Sequence, residues 1–218
     1  EEMRITAFLI GVCIIVFTVQ VISEIMFCQN SGNICIEGID PFTYTFSLIP
    51  INALHGAWWQ FITYMFLHGG IGHLMFNMFV LFLFGSVVEH ALGKKRFLLL
   101  YIISGIGAAF LHIVLSGVSY TIMLGASGAI FGILAAYGFM FPRNKIIVFP
   151  IPFPLPAWIA VVGIAILEFL IGVYGLESGV ANFGHLGGIL TGAVLVYYWK
   201  HKKPKSIWER RRYEFFWE

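Results

Sequence analysis

Residues 73–92 read HLMFNMFVLFLFGSVVEHAL, twenty positions with no Lys, Arg or Asp and a single Glu near the end. As a helix, a run of this length spans the roughly 30 Å apolar core of a bilayer. Five more apolar runs flank it, at about 5–27, 97–116, 126–141, 156–174 and 183–199. The composition agrees with this pattern. Of 218 residues, 59% are hydrophobic and 11% charged, against roughly 25% charged in a soluble domain. A water-soluble globule is excluded, because its surface would need more polar side chains than the chain has. The expected fold class is an all-α membrane protein, a bundle of six transmembrane helices over residues 1–199. A basic cytoplasmic tail at 200–218 follows, and no length remains for a second domain. The first run exceeds a signal-peptide core and lacks a clear small-residue cleavage site, so it is expected to be a retained span.

Charge placement predicts the orientation. Threaded through six spans, the thirteen basic residues all fall on one side: Arg4, Lys94, Lys95, Arg96, Arg143, Lys145 and seven from Lys200 to Arg212. By the positive-inside rule that side is cytoplasmic, with both termini. Residues 28–72 contain no Lys or Arg and form an outer loop. Its aromatic residues, among them Phe42, Tyr44, Trp58, Trp59 and Tyr64, suit the headgroup level and predict short helices partly embedded there. The C-terminal basic cluster is thereby a topology signal, and no nucleic-acid partner is expected. Cys28 and Cys35 lie in the outer loop with six residues between them; a small disulfide and two unpaired thiols both fit this spacing. No Cys/His cluster has metal-ligand spacing, and neither metal nor cofactor is expected.

Three polar groups interrupt the apolar runs, and at membrane depth each is a candidate functional feature. His73 and Asn77 stand one turn apart on one helical face, which fits either an interhelical polar contact or a pair of ligand-directed donors. Ser127, in Gly125-Ala126-Ser127-Gly128, occupies the first turn of a helix. Free backbone N–H groups there can stabilise an oxyanion, and a capping serine beside packing glycines is the plainer alternative. His185 lies in a segment where Gly184, Gly188 and Gly192 form a continuous small-residue face, matched by Gly128 and Gly132 on the fourth run. Such faces let helix backbones approach closely. Ser127 is 16 residues from Arg143 and His185 is 15 from Lys200, so both lie about 22 to 24 Å above the cytoplasmic edge. A hydroxyl and an imidazole level with each other, just below the outer surface, point to a Ser/His pair.

The residues that are missing narrow the chemistry. Asp40 is the single aspartate, so an Asp–Asp protease centre cannot form. A Ser-His-Asp triad would need Asp40 to fold back. No His-Glu-x-x-His occurs, which removes the common zinc-protease arrangement. Glu168, inside the fifth run, is read first as a packed, protonated side chain; pairing with a nearby Gln or Ser and lining a substrate access route are the other two readings.

Together, His73-Leu74-Met75-Phe76-Asn77, Gly125-Ala126-Ser127-Gly128 with Phe131-Gly132, and His185-Leu186-Gly187-Gly188 with Gly192 resemble a rhomboid intramembrane serine protease. The resemblance implies a rhomboid-like bundle in which Ser127 is the nucleophile and His185 the general base and then acid. His73, Asn77 and the Ser127 N–H would form the oxyanion hole, and Phe131 would pack beside the base. Glu89 and Gly93 match a structural Glu-x-x-x-Gly of the family. Gln60 replaces the arginine that often follows the loop tryptophan, here Trp59, which bears on how the outer loop is anchored. The implied enzyme is a multi-pass endopeptidase of the cell (inner) membrane. It would cleave transmembrane segments of single-span proteins near the outer face, with the lipid bilayer as its other partner. The competing class is a transporter or a scaffold that recognises transmembrane segments. A transporter should carry an internal repeat, and none is visible between the two halves.

Overall fold

The computed structural model describes residues 4–29, 35, 39–148, 150–175 and 181–201, with the Gln29 side chain excluded. It is largely helical. Helix α1 spans Ile5–Ser23 and runs on through a π-helical turn, Glu24–Gln29. The outer loop holds three short helices, α2 (Pro41–Phe46), α3 (Pro50–Leu54) and α4 (Gln60–Thr63). Helix α5 (Ile71–Val80) joins α6 (Ser86–Leu92) through a π-helical turn at Leu81–Gly85. Then come α7 (Lys94–Ser116), α8 (Ser127–Met140), α9 (Ala157–Tyr174) and α10 (Asn182–His201). Between α8 and α9, Lys145–Ile146 (β1) pairs antiparallel with Leu155–Pro156 (β2). The basic tail beyond His201 lies outside the described residues.

Six helical segments thus stand where six apolar runs were read, with ends moved by up to about four residues. Four of them are long and apolar enough to cross a membrane by length and composition: Ile5–Cys28, Ile71–Leu92, Lys94–Ser116 and Ala157–Tyr174. The other two, α8 with 14 residues and α10 with 20, are the central ones. Helix α10 packs on both α7 and α8, and glycines line these contacts. A Cβ placed on Gly188 would overlap the Gly128 carbonyl oxygen, and one on Gly192 would overlap that of Gly132. On the other side, a Cβ on Gly187 would come within 2.6 Å of the Gly107 oxygen on α7. Because lipid tails are as apolar as leucine, close van der Waals packing of this kind is what holds membrane helices together. Large apolar side chains cover the outside of the bundle, with Phe79, Phe110 and Val194 each more than half exposed. In water this would be an aggregating surface; in lipid it is the solvated one.

Buried polar side chains join the peripheral elements. Glu89 on α6 accepts hydrogen bonds from Ile5 N (2.7 Å), Thr6 N (2.8 Å) and Thr6 Oγ1 (2.7 Å). It thereby satisfies N–H groups that a helix start leaves free. Arg96 sits over the Trp199 ring and Lys200 over the Phe139 ring. These contacts place the start of α1, the α6–α7 junction and the C-terminal ends of α8 and α10 at one end of the bundle, where every described Lys and Arg lies. At the other end, Gln20 of α1 reaches the outer loop. Its Oε1 accepts from His68 N (2.9 Å) and its Nε2 donates to Thr43 Oγ1 (2.9 Å).

The outer loop is firmly held without an arginine after Trp59. Gln60 is buried; its Oε1 accepts from Ile49 N (3.0 Å) and its Nε2 donates to Thr45 O (3.2 Å). Trp59 Nε1 donates to the same carbonyl at 3.0 Å. Asp40 does not fold back toward the serine. It caps α2, accepting from Phe42 N and Thr43 N at 3.0 Å each, with Pro41 at the first helical position, as N-termini favour. Cys28 and Cys35 are joined in a disulfide.

Candidate active site

The loop ahead of α8 is built by its neighbours. Leu48 and Met123 exchange two backbone hydrogen bonds of 2.9 Å, and Gly125 N donates to Tyr64 O at 2.9 Å. Gly125 has φ of +126°, which other residues adopt only with strain. A Cβ there would also come within 2.8 Å of His73 Cε1. The chain then enters α8 at Ser127. Because α8 and α10 approach through their glycines, the first turn of α10 brings His185 to the same level. His185 Nε2 lies 2.9 Å from Ser127 Oγ. Phe131, one turn after the serine, stacks on the imidazole with centroids 4.3 Å apart and planes 25° apart, which sets the ring's tilt.

His73 and Asn77 on α5 face this turn, grouped against Gly125. Gly69 N donates to His73 Nδ1 at 3.3 Å, so the neutral ring carries its proton on Nε2, the nitrogen turned toward Gly125. Asn77 is buried, and its Nδ2 has no acceptor among the described residues. An unsatisfied buried amide is costly, and here it is a free donor beside His73 at Gly125, two residues before Ser127. With the free N–H groups of the first turn of α8, the arrangement can offer several donors to one developing negative charge.

The chain is similar to known proteins. Residues 55–202 match the Rhomboid domain. The chain belongs to the rhomboid serine protease family. It is 35% identical to YdcA, a rhomboid relative from Bacillus subtilis, over 71% of this chain and 74% of that one. To the rhomboid protease AarA of Providencia stuartii it is 36% identical, over 66% of this chain and 56% of the relative. To the rhomboid-type serine protease 2 of Emericella nidulans it is 36% identical, over 63% of this chain and 26% of the relative. The chain thus spans about half of the Providencia protein and a quarter of the fungal one.

In this rhomboid the sequence reading of Glu168 needs correcting. It is packed, but against polar partners, and these are neither Gln nor Ser. Glu168 Oε2 accepts from Asn182 Nδ2 at 2.8 Å and lies 3.1 Å from His185 Nδ1. A signal for this was present: Asn182 and His185 stand three residues apart on one helical face, and a carboxylate inside an apolar run calls for partners of this kind.

His68, in the outer loop of this rhomboid, is buried against His73, with ring centroids 5.2 Å apart. Burial first, and the neighbouring His73 second, pull its pKa down to about 4 from an ordinary 6.5. Between those two pH values the unfolded chain binds the extra proton and the folded one does not. Stability should therefore rise with pH across this window, by up to about 3 kcal/mol. Melting midpoints in detergent at pH 4.5 and 7 test this, and His68→Gln is expected to reduce the difference between them.

Proposed function

We propose that this rhomboid is an intramembrane endopeptidase that cuts transmembrane segments of single-span membrane proteins near the outer face of the cell membrane. The observation that carries this reading is the 2.9 Å contact between His185 Nε2 and Ser127 Oγ. The unpaired Asn77 donor beside it supports an oxyanion hole. Ser127 Oγ attacks the scissile carbonyl carbon as its proton passes to His185 Nε2. The oxygen becomes an anion held by His73 Nε2–H, Asn77 Nδ2–H and the Ser127 N–H, donors already fixed where the charge develops. The intermediate collapses, the C–N bond breaks, and His185 returns its proton to the leaving amine. Water then attacks the acyl-enzyme by the same route, regenerating Ser127.

Orientation follows from charge. All described basic residues lie at the end of the bundle away from Ser127, so by the positive-inside rule that end is cytoplasmic. The site then opens to the outer face, where water for the second step is at hand. A substrate helix must unwind to present a carbonyl to Ser127, which exposes amides that lipid cannot satisfy. Gly or Pro near the cut lowers that cost by about 1 to 3 kcal/mol per residue. In liposomes carrying a single-span substrate, introducing either near the cleavage point should raise turnover several-fold. Unchanged or slower cleavage would count against unwinding. A cut mapped to a water-exposed segment far from the span would count against the proposed depth.

A further inference from the structure

We propose that Glu168 is a positioning residue for His185, holding the base of the Ser127–His185 pair in place from its far side. This rests on the dyad reading above and goes beyond it. To accept the Ser127 proton, Nε2 must be bare, so the neutral imidazole carries its proton on Nδ1. Nδ1 is buried and has no aligned hydrogen bond among the described residues. Its polar neighbour among the described residues is Glu168 Oε2 at 3.1 Å, and the His185 and Glu168 side chains are only 12% and 15% exposed. The carboxylate does not drift there by chance. Asn182, buried one turn before His185 on the same helix, donates to that oxygen at 2.8 Å. The Phe131 ring fixes the imidazole from its face.

The chemistry follows from charge. When the proton leaves Oγ for Nε2, the ring becomes an imidazolium beside a carboxylate in a largely dry site, and the pair stabilises that state more than the neutral one. Glu168 takes no proton; Nδ1–H stays where it is. The distance is right and the direction is not yet ideal, as is common for catalytic hydrogen bonds before substrate arrives. Helix α9 is otherwise the least buried of the four apolar spans, so a carboxylate on it calls for polar partners, and Asn182 and His185 stand in that place.

The test compares wild type, Glu168→Gln and Asn182→Ala in detergent. It uses three readouts: kcat and KM on a single-span substrate, the rate at which a small fluorophosphonate modifies the serine, and the melting midpoint. Glu168→Gln keeps the shape and the bond to Asn182 while removing the charge. Its kcat should fall about 10- to 100-fold with KM within about twofold. Phosphonylation should slow by the same factor, since the small probe needs the base but no helix docking. Asn182→Ala should show the same pattern at several-fold. If Glu168 merely shapes the wall near α9, the loss appears in KM or in the melting midpoint and phosphonylation is unchanged; that result overturns the proposal, as does an unimpaired Glu168→Gln. Retained wild-type activity in Ser127→Ala would instead overturn the dyad reading.

Discussion

Ser127→Ala is expected to lower kcat by at least about 10⁴-fold, equivalent to about 5.5 kcal/mol of transition-state stabilisation. His185→Ala should fall as far, and the double variant should be no worse than either single one. The reason is that the two side chains make one reactive unit: the hydroxyl is a weak nucleophile until its proton has somewhere to go, and the imidazole has no other proton to take. Folding should survive. Losing Oγ leaves the Phe131–His185 stack in place and opens a space smaller than a water molecule. Turnover of a single-span substrate by purified proteins of matching melting midpoint checks the result. Additive losses in the double variant would mean that the two residues act separately.

Gly188→Ala should be the most destabilising small substitution in the chain, costing more than about 3 kcal/mol. The added methyl would overlap the Gly128 carbonyl oxygen, and a backbone oxygen inside a helix cannot rotate away as a side-chain tip can. The only relief is to push α8 from α10, which also separates Ser127 from His185. Gly192→Ala meets the Gly132 oxygen in the same way. Gly163→Ala on α9 is the control: nothing lies within 4 Å of its would-be Cβ, and alanine is the better helix former by about 1 kcal/mol. Melting midpoints and size-exclusion profiles in detergent should show Gly188→Ala lost or aggregated and Gly163→Ala unchanged or firmer. A Gly188→Ala protein as stable as wild type would contradict the tight α8–α10 contact.

Much of this was legible in the residues because membrane helices announce themselves by length and apolarity. The run read at 73–92 is helical over 71–92, and the small-residue pattern on α8 and α10 is a direct statement about backbone distance. Less was legible where rotation and partners decide. The fifth run is apolar on nearly every face, so its periodicity says nothing about which side of α9 meets the bundle. Glu168 accordingly reads as a packed side chain, and its contact with His185 is not visible in the run itself. The contacts of Gly105, Gly107 and Gly187 stay hidden for a related reason. They make α7 part of the central packing, against Met65, Thr191 and the α7 backbone, but no spacing within one run shows what a glycine will meet across the bundle. Gln60 is the converse case. Its departure from the family's arginine bears on how the loop is anchored, and one amide with a donor and an acceptor is enough to tie Ile49 and Thr45 together.

The most direct measurement is the site and rate of covalent labelling by a fluorophosphonate, a probe that marks a serine only when its hydroxyl is activated. The account predicts one adduct, located by mass spectrometry on Ser127 of the wild-type protein, absent in Ser127→Ala and slowed at least about a hundredfold in His185→Ala. An adduct on a different serine, or equal labelling of Ser127 in His185→Ala, would contradict it.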